Sequence, residues 1–365
     1  MGLTLASASL TACGGSSTPL GGVHAPQSGF PTVATKNTTR VGAADAAGDA
    51  AAVALAVWPG AGQHPASVAL VPNDWRSALA AAPLTTPPFR SALLVTDGDI
   101  SGPTAEALER LVPTGVPSAG KVKRVVVGDA EDPGQSKPIN ADGPAALADA
   151  IDRSRLSAGA AITDSVVVVG TEGPDWAAPA AAWSARSGDP VLFVEKDGIP
   201  KQTIDAIKRR GRPLIMLLAP TSSVSTSVEQ QLNNYGAVAR ITGATPTESS
   251  INFAKFRDGD RGWGLTDPGH GIAFGSTGHA IDSMVSAALS SAGSWPALLM
   301  LDGGKVPPVL KQYLLDIQPG YRGDPSHFLY NRGWLIGDTG VIPESTQAEL
   351  DRLLEMTPAN EAPKP

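Results

Sequence analysis

Cysteine is nearly absent from this 365-residue chain, with Cys13 the single one. The rest of the protein has no thiol for a disulfide or a cysteine metal site, so its fold must rest on burial alone. Aromatic residues make up 5% and charged residues 17% of the sequence, which excludes a core built around many large rings. No apolar run is long enough to cross a bilayer. An excess of positive charge is missing as well. The net charge of −7 argues against nucleic acid as a partner. The five histidines, His24, His64, His270, His279 and His327, are scattered without metal-ligand spacing. Neither a Gly-x-Ser-x-Gly elbow nor a P-loop occurs, and Gly60-Ala61-Gly62 lacks the rest of a dinucleotide fingerprint. No nucleophile, base and acid can be named as a set, so the expectation is a protein without catalysis.

What is there begins with Leu10-Thr11-Ala12-Cys13, which follows a short run of apolar and small residues. Leucine, two small residues and cysteine resemble the bacterial lipobox. That resemblance implies cleavage before Cys13 and lipidation of its thiol, with residues 1–12 as a signal peptide. No Lys or Arg precedes Lys36, so the basic start of such a leader would lie upstream and the peptide given would be truncated. Each buried CH2 of the acyl chains adds about 0.8 kcal/mol to membrane affinity. Residues 13–37 then read as a flexible linker, able to span roughly 25–30 Å. The expected location is the outer face of the cytoplasmic membrane, within reach of the wall.

Beyond the linker the chain repeats itself. Three times it shows an apolar strand, an Ala-rich helical stretch, a second apolar strand ending in an acid, and an amphipathic helix. The first strands are Val68-Ala69-Leu70-Val71, Val166-Val167-Val168-Val169 and Ile272-Ala273-Phe274. The second strands end in Asp97, Glu195 and Asp302. A third strand closes each unit at 122–127, 214–218 and 333–336. A further helix follows in the second and third units, whereas the first has Glu131-Asp132-Pro133-Gly134 where that helix would begin. Continuous apolar strands alternating with helices signify parallel sheets covered on both faces. The expected organisation is three α/β units at 38–138, 139–239 and 240–356, followed by a disordered tail at 357–365.

The recurring unit resembles the type 2 cell-wall-binding repeat of bacterial surface proteins. The opening segments Arg40-Val41-Gly42-Ala43-Ala44-Asp45 and Arg240-Ile241-Thr242-Gly243-Ala244-Thr245 are similar to that family's start. The helix Ala78-Leu79-Ala80-Ala81-Ala82-Pro83-Leu84, the strand Leu93-Leu94-Val95-Thr96-Asp97 and the stretch Val224-Ser225-Thr226-Ser227-Val228-Glu229 match it as well. The resemblance covers roughly residues 38–356. It implies three tandem Rossmann-like units packed as a pseudo-trimer that holds a protein to wall glycan or an anionic envelope polymer. Arg76-Ser77 stands where the family tends to carry Asp, and the third unit has an insertion near 316–331.

Two constellations are candidate polymer or cation sites. Asp97, Glu195 and Asp302 each end a second strand, at the sheet edge where loops and helix N-termini converge. Brought together by threefold packing they would hold sugar hydroxyls or a divalent cation such as calcium. Read as turn chemistry, Asp97-Gly98, Asp197-Gly198 and Asp302-Gly303 are ordinary turn sequences. Asp74-Trp75 and Asp175-Trp176 recur after the first strands. Trp75 and Trp176 would stack on sugar rings with the acid binding hydroxyls, or plug gaps left by alanine. Two other functions fit a lipobox and α/β domains: a substrate-binding lipoprotein of a transporter, which would have two lobes, and a scaffold for envelope partner proteins.

Overall fold

The computed structural model describes residues 33–358 apart from 61, 101 and 294. Leu10, Thr11, Ala12 and Cys13 lie outside the described residues, as does 359–365. The chain opens with two short strands, β1 (Val33–Ala34) and β2 (Thr38–Val41), and the helix α1 (Ala46–Val57). The first unit adds β3 (Ser67–Pro72), α2 (Trp75–Ala81), β4 (Ser91–Thr96), α3 (Gly102–Leu111), β5 (Arg124–Val127) and β6 (Lys137–Ile139). The second has α4 (Pro144–Ser157), β7 (Ser165–Gly170), α5 (Pro174–Ala177), α6 (Pro179–Ser187) and β8 (Val191–Val194). It ends with α7 (Lys201–Lys208), β9 (Leu214–Leu218), α8 (Thr226–Leu232) and β10 (Ala237–Arg240). The third runs through α9 (Pro246–Lys255), β11 (Gly271–Ser276), α10 (Ala280–Val285), α11 (Ala287–Ser290), β12 (Ala297–Leu301) and α12 (Pro308–Asp316). It closes with β13 (Gly320–Tyr321), β14 (Arg332–Ile336), α13 (Glu344–Leu353) and β15 (Thr357–Pro358).

Three large parallel sheets result, one to a unit, beside the two-stranded parallel pair β13-β15. Their orders are β4-β3-β5-β6, β8-β7-β9-β10 and β12-β11-β14-β2, the last extended by antiparallel β1. These are Rossmann-like units packed as a pseudo-trimer. The central strands are buried from end to end apart from the half-buried Pro72 at the end of β3, which is why they read as unbroken apolar runs and not as alternating ones.

The fourth strand of each sheet hands the chain to the next unit. After β6, helix α4 packs on β8 and α7; after β10, α9 packs on β12 and α12. After β2, α1 packs on β4 and α3. Thr38–Val41, which heads the first unit in sequence, is thus hydrogen-bonded into the third sheet, with Arg40 beside Leu335. The ring is closed by its own N-terminal strand. Around the centre the Ala-rich helices meet, α2 against α10 and α6 against α11. Alanine has no side chain to order and keeps these helices close together.

The hand-off is built from the same parts at two junctions. The buried guanidinium of Arg40 donates to the carbonyls of Gly337 (2.9 Å), Asp338 (2.8 Å) and Ile342 (2.8 Å), and to Gln347 Oε1. Arg240 does the equivalent with Ala219 O (2.7 Å), Ser225 O (3.2 Å) and Glu229 (2.8 Å). Each arginine pins the fourth strand to the loop and helix that follow the third strand. In the first unit no helix lies between β5 and β6, as the Glu131-Asp132-Pro133-Gly134 stretch anticipates. Pro138 occupies the matching place on β6, so the arginine and the helix it would hold are missing together.

Both ends of the body are more ordered than composition suggests. Val33–Ala34 pairs with β2, and Asp351 of α13 accepts from the backbone N–H groups of Asn37 (2.7 Å) and Thr38 (3.1 Å). Thr357–Pro358, expected as the start of a disordered tail, pairs as β15 with β13. Main-chain pairing wins there over a local composition rich in proline.

Candidate functional site

The carboxyl ends of the strands form one face of the ring. Asp97, Glu195 and Asp302 each lie one residue beyond the outermost strand of a sheet, all exposed. Their backbones make turns: Glu195 N donates to Gly198 O (3.0 Å), while Asp302 and Lys305 exchange a pair of bonds at 3.0 Å. Among the described residues, no three His, Cys, Asp or Glu side chains are placed to hold a metal ion. The structure therefore does not bring Asp97, Glu195 and Asp302 into one cluster.

The loops after the central strands are where the units touch. Asp74 caps α2, accepting from Ser77 N (2.9 Å) and Ser77 Oγ (2.8 Å). Trp75, half-buried, tilts against Phe193 of the second unit with ring centroids 6.2 Å apart. The Arg76 guanidinium lies 4.6 Å from the Trp75 ring centroid, and its Nε donates to Thr171 O at 2.9 Å. Its Nη2 also reaches Glu172 (3.2 Å). The arginine at the position where the resemblance favours Asp is thus a tie between units one and two. Trp176 in α5 is half-buried and packs near Gly173. Its neighbour Asp175 accepts from Gly278 N (3.1 Å) across the next junction, and burial raises its carboxyl above the usual range.

The third junction is the most acidic. His279 Nδ1 lies 3.1 Å from Asp282 Oδ2 at the start of α10. Asp49, on α1 and fully buried, accepts from Ala43 N through Oδ1, while its Oδ2 has no hydrogen-bond partner. Burial, reinforced by the charge of Asp282, holds the Asp49 carboxyl well above the ordinary carboxylate range. At the matching place on α9 stands Ser249, which does the same job with a neutral hydroxyl, accepting from Gly243 N at 2.7 Å. No sequence pattern marks Asp49 as special, since its burial depends on β2 joining the third sheet. A crevice of about 430 Å³ opens between β3 and β5, lined by Asp74, Arg76, Gly128, Asp129 and Asp142. That is the point where strand order reverses, the usual ligand position in open α/β sheets. Among the described residues no hydroxyl or thiol is hydrogen-bonded to the second nitrogen of His279. The chemistry offered on this face is binding through carboxylates and guanidinium groups.

The three-sheet ring is a known arrangement. It is similar to the solved structure of Cwp6 from Clostridium difficile, with a TM-score of 0.69, 14% identity and coverage of 87% of this chain and 48% of that one. Cwp8 from the same organism matches with a TM-score of 0.63 and 14% identity, over 88% of this chain and 53% of that one. At this identity the likeness shows the fold alone. The chain spans about half the length of each of these structures. In sequence, 79 residues are 34% identical to the Amidase enhancer of Bacillus subtilis (strain 168), which is 22% of this chain and 11% of that relative. No family model matches the chain. Among the described residues no helix is long and apolar enough to cross a membrane.

Proposed function

We propose that this is a non-catalytic, lipid-anchored cell-surface protein whose three repeats bind cell-wall glycan or an anionic envelope polymer. The observation that carries this reading is the closed ring of three sheets, shared over nearly the whole described chain with Cwp6 and Cwp8, which are cell wall proteins. The short match to an amidase enhancer points to the same setting. Three sheets in a ring disfavour a two-lobed substrate-binding lipoprotein, whose ligand closes a hinge between lobes. Cys13 provides the membrane anchor in this reading, and the repeats provide the grip on the wall.

Co-sedimentation of the full chain, carrying Cys13→Ser to remove the acyl chains, with native envelope sacculi tests the grip. Binding that is lost when attached polymer is stripped from the sacculi is the expected result. A further loss on chelating calcium would mean that a divalent cation bridges the acidic protein and an acidic polymer. Absence of binding to either preparation would reject the wall-binding reading. The anchor is tested separately in cells: the wild-type chain should partition into the detergent-rich phase of Triton X-114, and Cys13→Ser into the aqueous phase.

A further inference from the structure

The opposite end of the ring, where the strands begin, holds a cavity of about 890 Å³ lined by all three units. Its titratable lining is Arg90, Arg155, Arg186 and His64, with no Asp or Glu. In a chain of net charge −7, an acid-free cavity with three arginines is an exception that needs a cause. Arg155 is buried at the end of α4. It donates to Gly188 O (2.8 Å) and Thr86 Oγ1 (2.7 Å), and its Nε has no hydrogen-bond partner. The two acids that act on it are already engaged. Asp152 accepts from Arg209 (2.8 Å) and Arg210 (2.6 Å), and Asp189 from Ser165 Oγ and Trp183 Nε1, both 2.7 Å. Burial accordingly pushes the Arg155 guanidinium down to about 10. A cation left short of counter-charge in this way favours an anion beside it.

A second cavity of about 960 Å³ shares Thr163, Arg186 and Ser187 with the first, and so continues it as a groove. Its lining adds Arg261 and three acids, Asp164, Asp189 and Asp260. Asp189 is held by Ser165 and Trp183, and Asp164 lies 3.9 Å from Arg261, so the acid-free part of the groove is the first cavity. On its rim stands Trp295, 52% exposed in spite of its size. Arg186 lies 5.4 Å from the Trp295 ring and 5.5 Å from Trp263. A flat aromatic surface set beside guanidinium groups suits a ring with an apolar face and a negatively charged substituent. The geometry points to a binding groove for an anionic saccharide, its charged group on Arg90 and Arg186 and its sugar ring on Trp295. This rests on the wall-binding reading and gives that polymer a site away from the acidic face. The two possible charged groups, phosphate and carboxylate, share this chemistry.

Calorimetric titration of the full chain carrying Cys13→Ser, with glucose 1-phosphate, with glucuronate and with neutral glucose, tests the groove. The expected result is binding of one or both charged sugars, weakened by added salt, with much weaker binding of glucose. Arg90→Gln and Arg186→Gln should each weaken it about tenfold, as the loss of a hydrogen bond to a charged group does. Trp295→Ala should weaken it by a similar factor. Lys201→Gln, an exposed change of equal charge far from the groove, should leave it unaltered. These arginines and Trp295 are partly exposed, and circular dichroism checks that each variant is folded. Failure of both charged sugars to bind, or unchanged affinity in the Arg90→Gln and Arg186→Gln double variant, overturns the proposal. Sacculus binding separates it from the wall reading. Joint loss of sugar and sacculus binding in the double variant makes the groove the polymer site. Sugar binding by a protein that never sediments with sacculi rejects the wall reading and leaves the groove standing.

Discussion

Arg40 shows how much one side chain carries here. It is 2% exposed, and every one of its guanidinium nitrogens has an acceptor. Removing it leaves buried carbonyls without donors, so Arg40→Met should cost about 3–5 kcal/mol in urea unfolding. Arg240→Met, at a more exposed site, should cost roughly half as much. Asp49 works in the opposite sense. Its folded value is raised above the ordinary 3.8, so between those two values the native state holds a proton that the unfolded state has released. Stability from this group is present at low pH and falls as pH rises through that window. Asp49→Asn should flatten the fall, raising the urea midpoint above wild type at pH 8 and giving little or no gain at pH 4. Asp152, lowered by Arg210 and Arg209 in spite of its burial, contributes stability above the ordinary value that is lost as pH falls through its folded one. At this scale the sequence was only partly legible. The acids at strand ends are where the motif puts them, and the two Asp-Trp pairs do follow the first strands. That Arg76, Asp49 and Trp295 matter could not be read, because each owes its setting to a unit distant in sequence.

At the scale of elements, the strands and Ala-rich helices were readable since their apolar runs are local. The missing helix of the first unit was readable too, from Pro133 and Gly134. The partner of β2 was not. Four residues, Thr38 to Val41, have no pattern that selects a sheet some 290 residues away, and the repeat pattern itself assigns them to the unit they precede. Glycine marks the spot in retrospect. A Cβ on Gly42 would lie 2.4 Å from Gly337 N and 2.7 Å from Asp49 Oδ1, so strand β2 can enter α1 only if this residue has no side chain. Gly42→Ala should therefore destabilise the fold by about 3 kcal/mol, measured by chemical denaturation. Within the third unit, new proteolytic cleavage should appear first around β13 and β14.

For the whole molecule, each sheet is finished by one unit and its fourth strand feeds the next, so no unit can be lifted out complete. Thermal unfolding should follow as one calorimetric transition, with van't Hoff and calorimetric enthalpies equal. Three resolved transitions would mean that the junctions at Arg76, Asp175 and Asp282 contribute little. The threefold count itself was legible, since it rests on recurrence and not on any single motif.

The closing strand also has a mechanical meaning. A tether pulled from upstream of residue 33 loads β1 and β2 before any helix of the body. The backbone hydrogen bonds of β2 to β14 and the Arg40 clamp then stand directly in the line of force. In a chain anchored as proposed, the strand that locks the ring would take the pull first, and it would pass to the third unit and to the helix α1 that leads into the first.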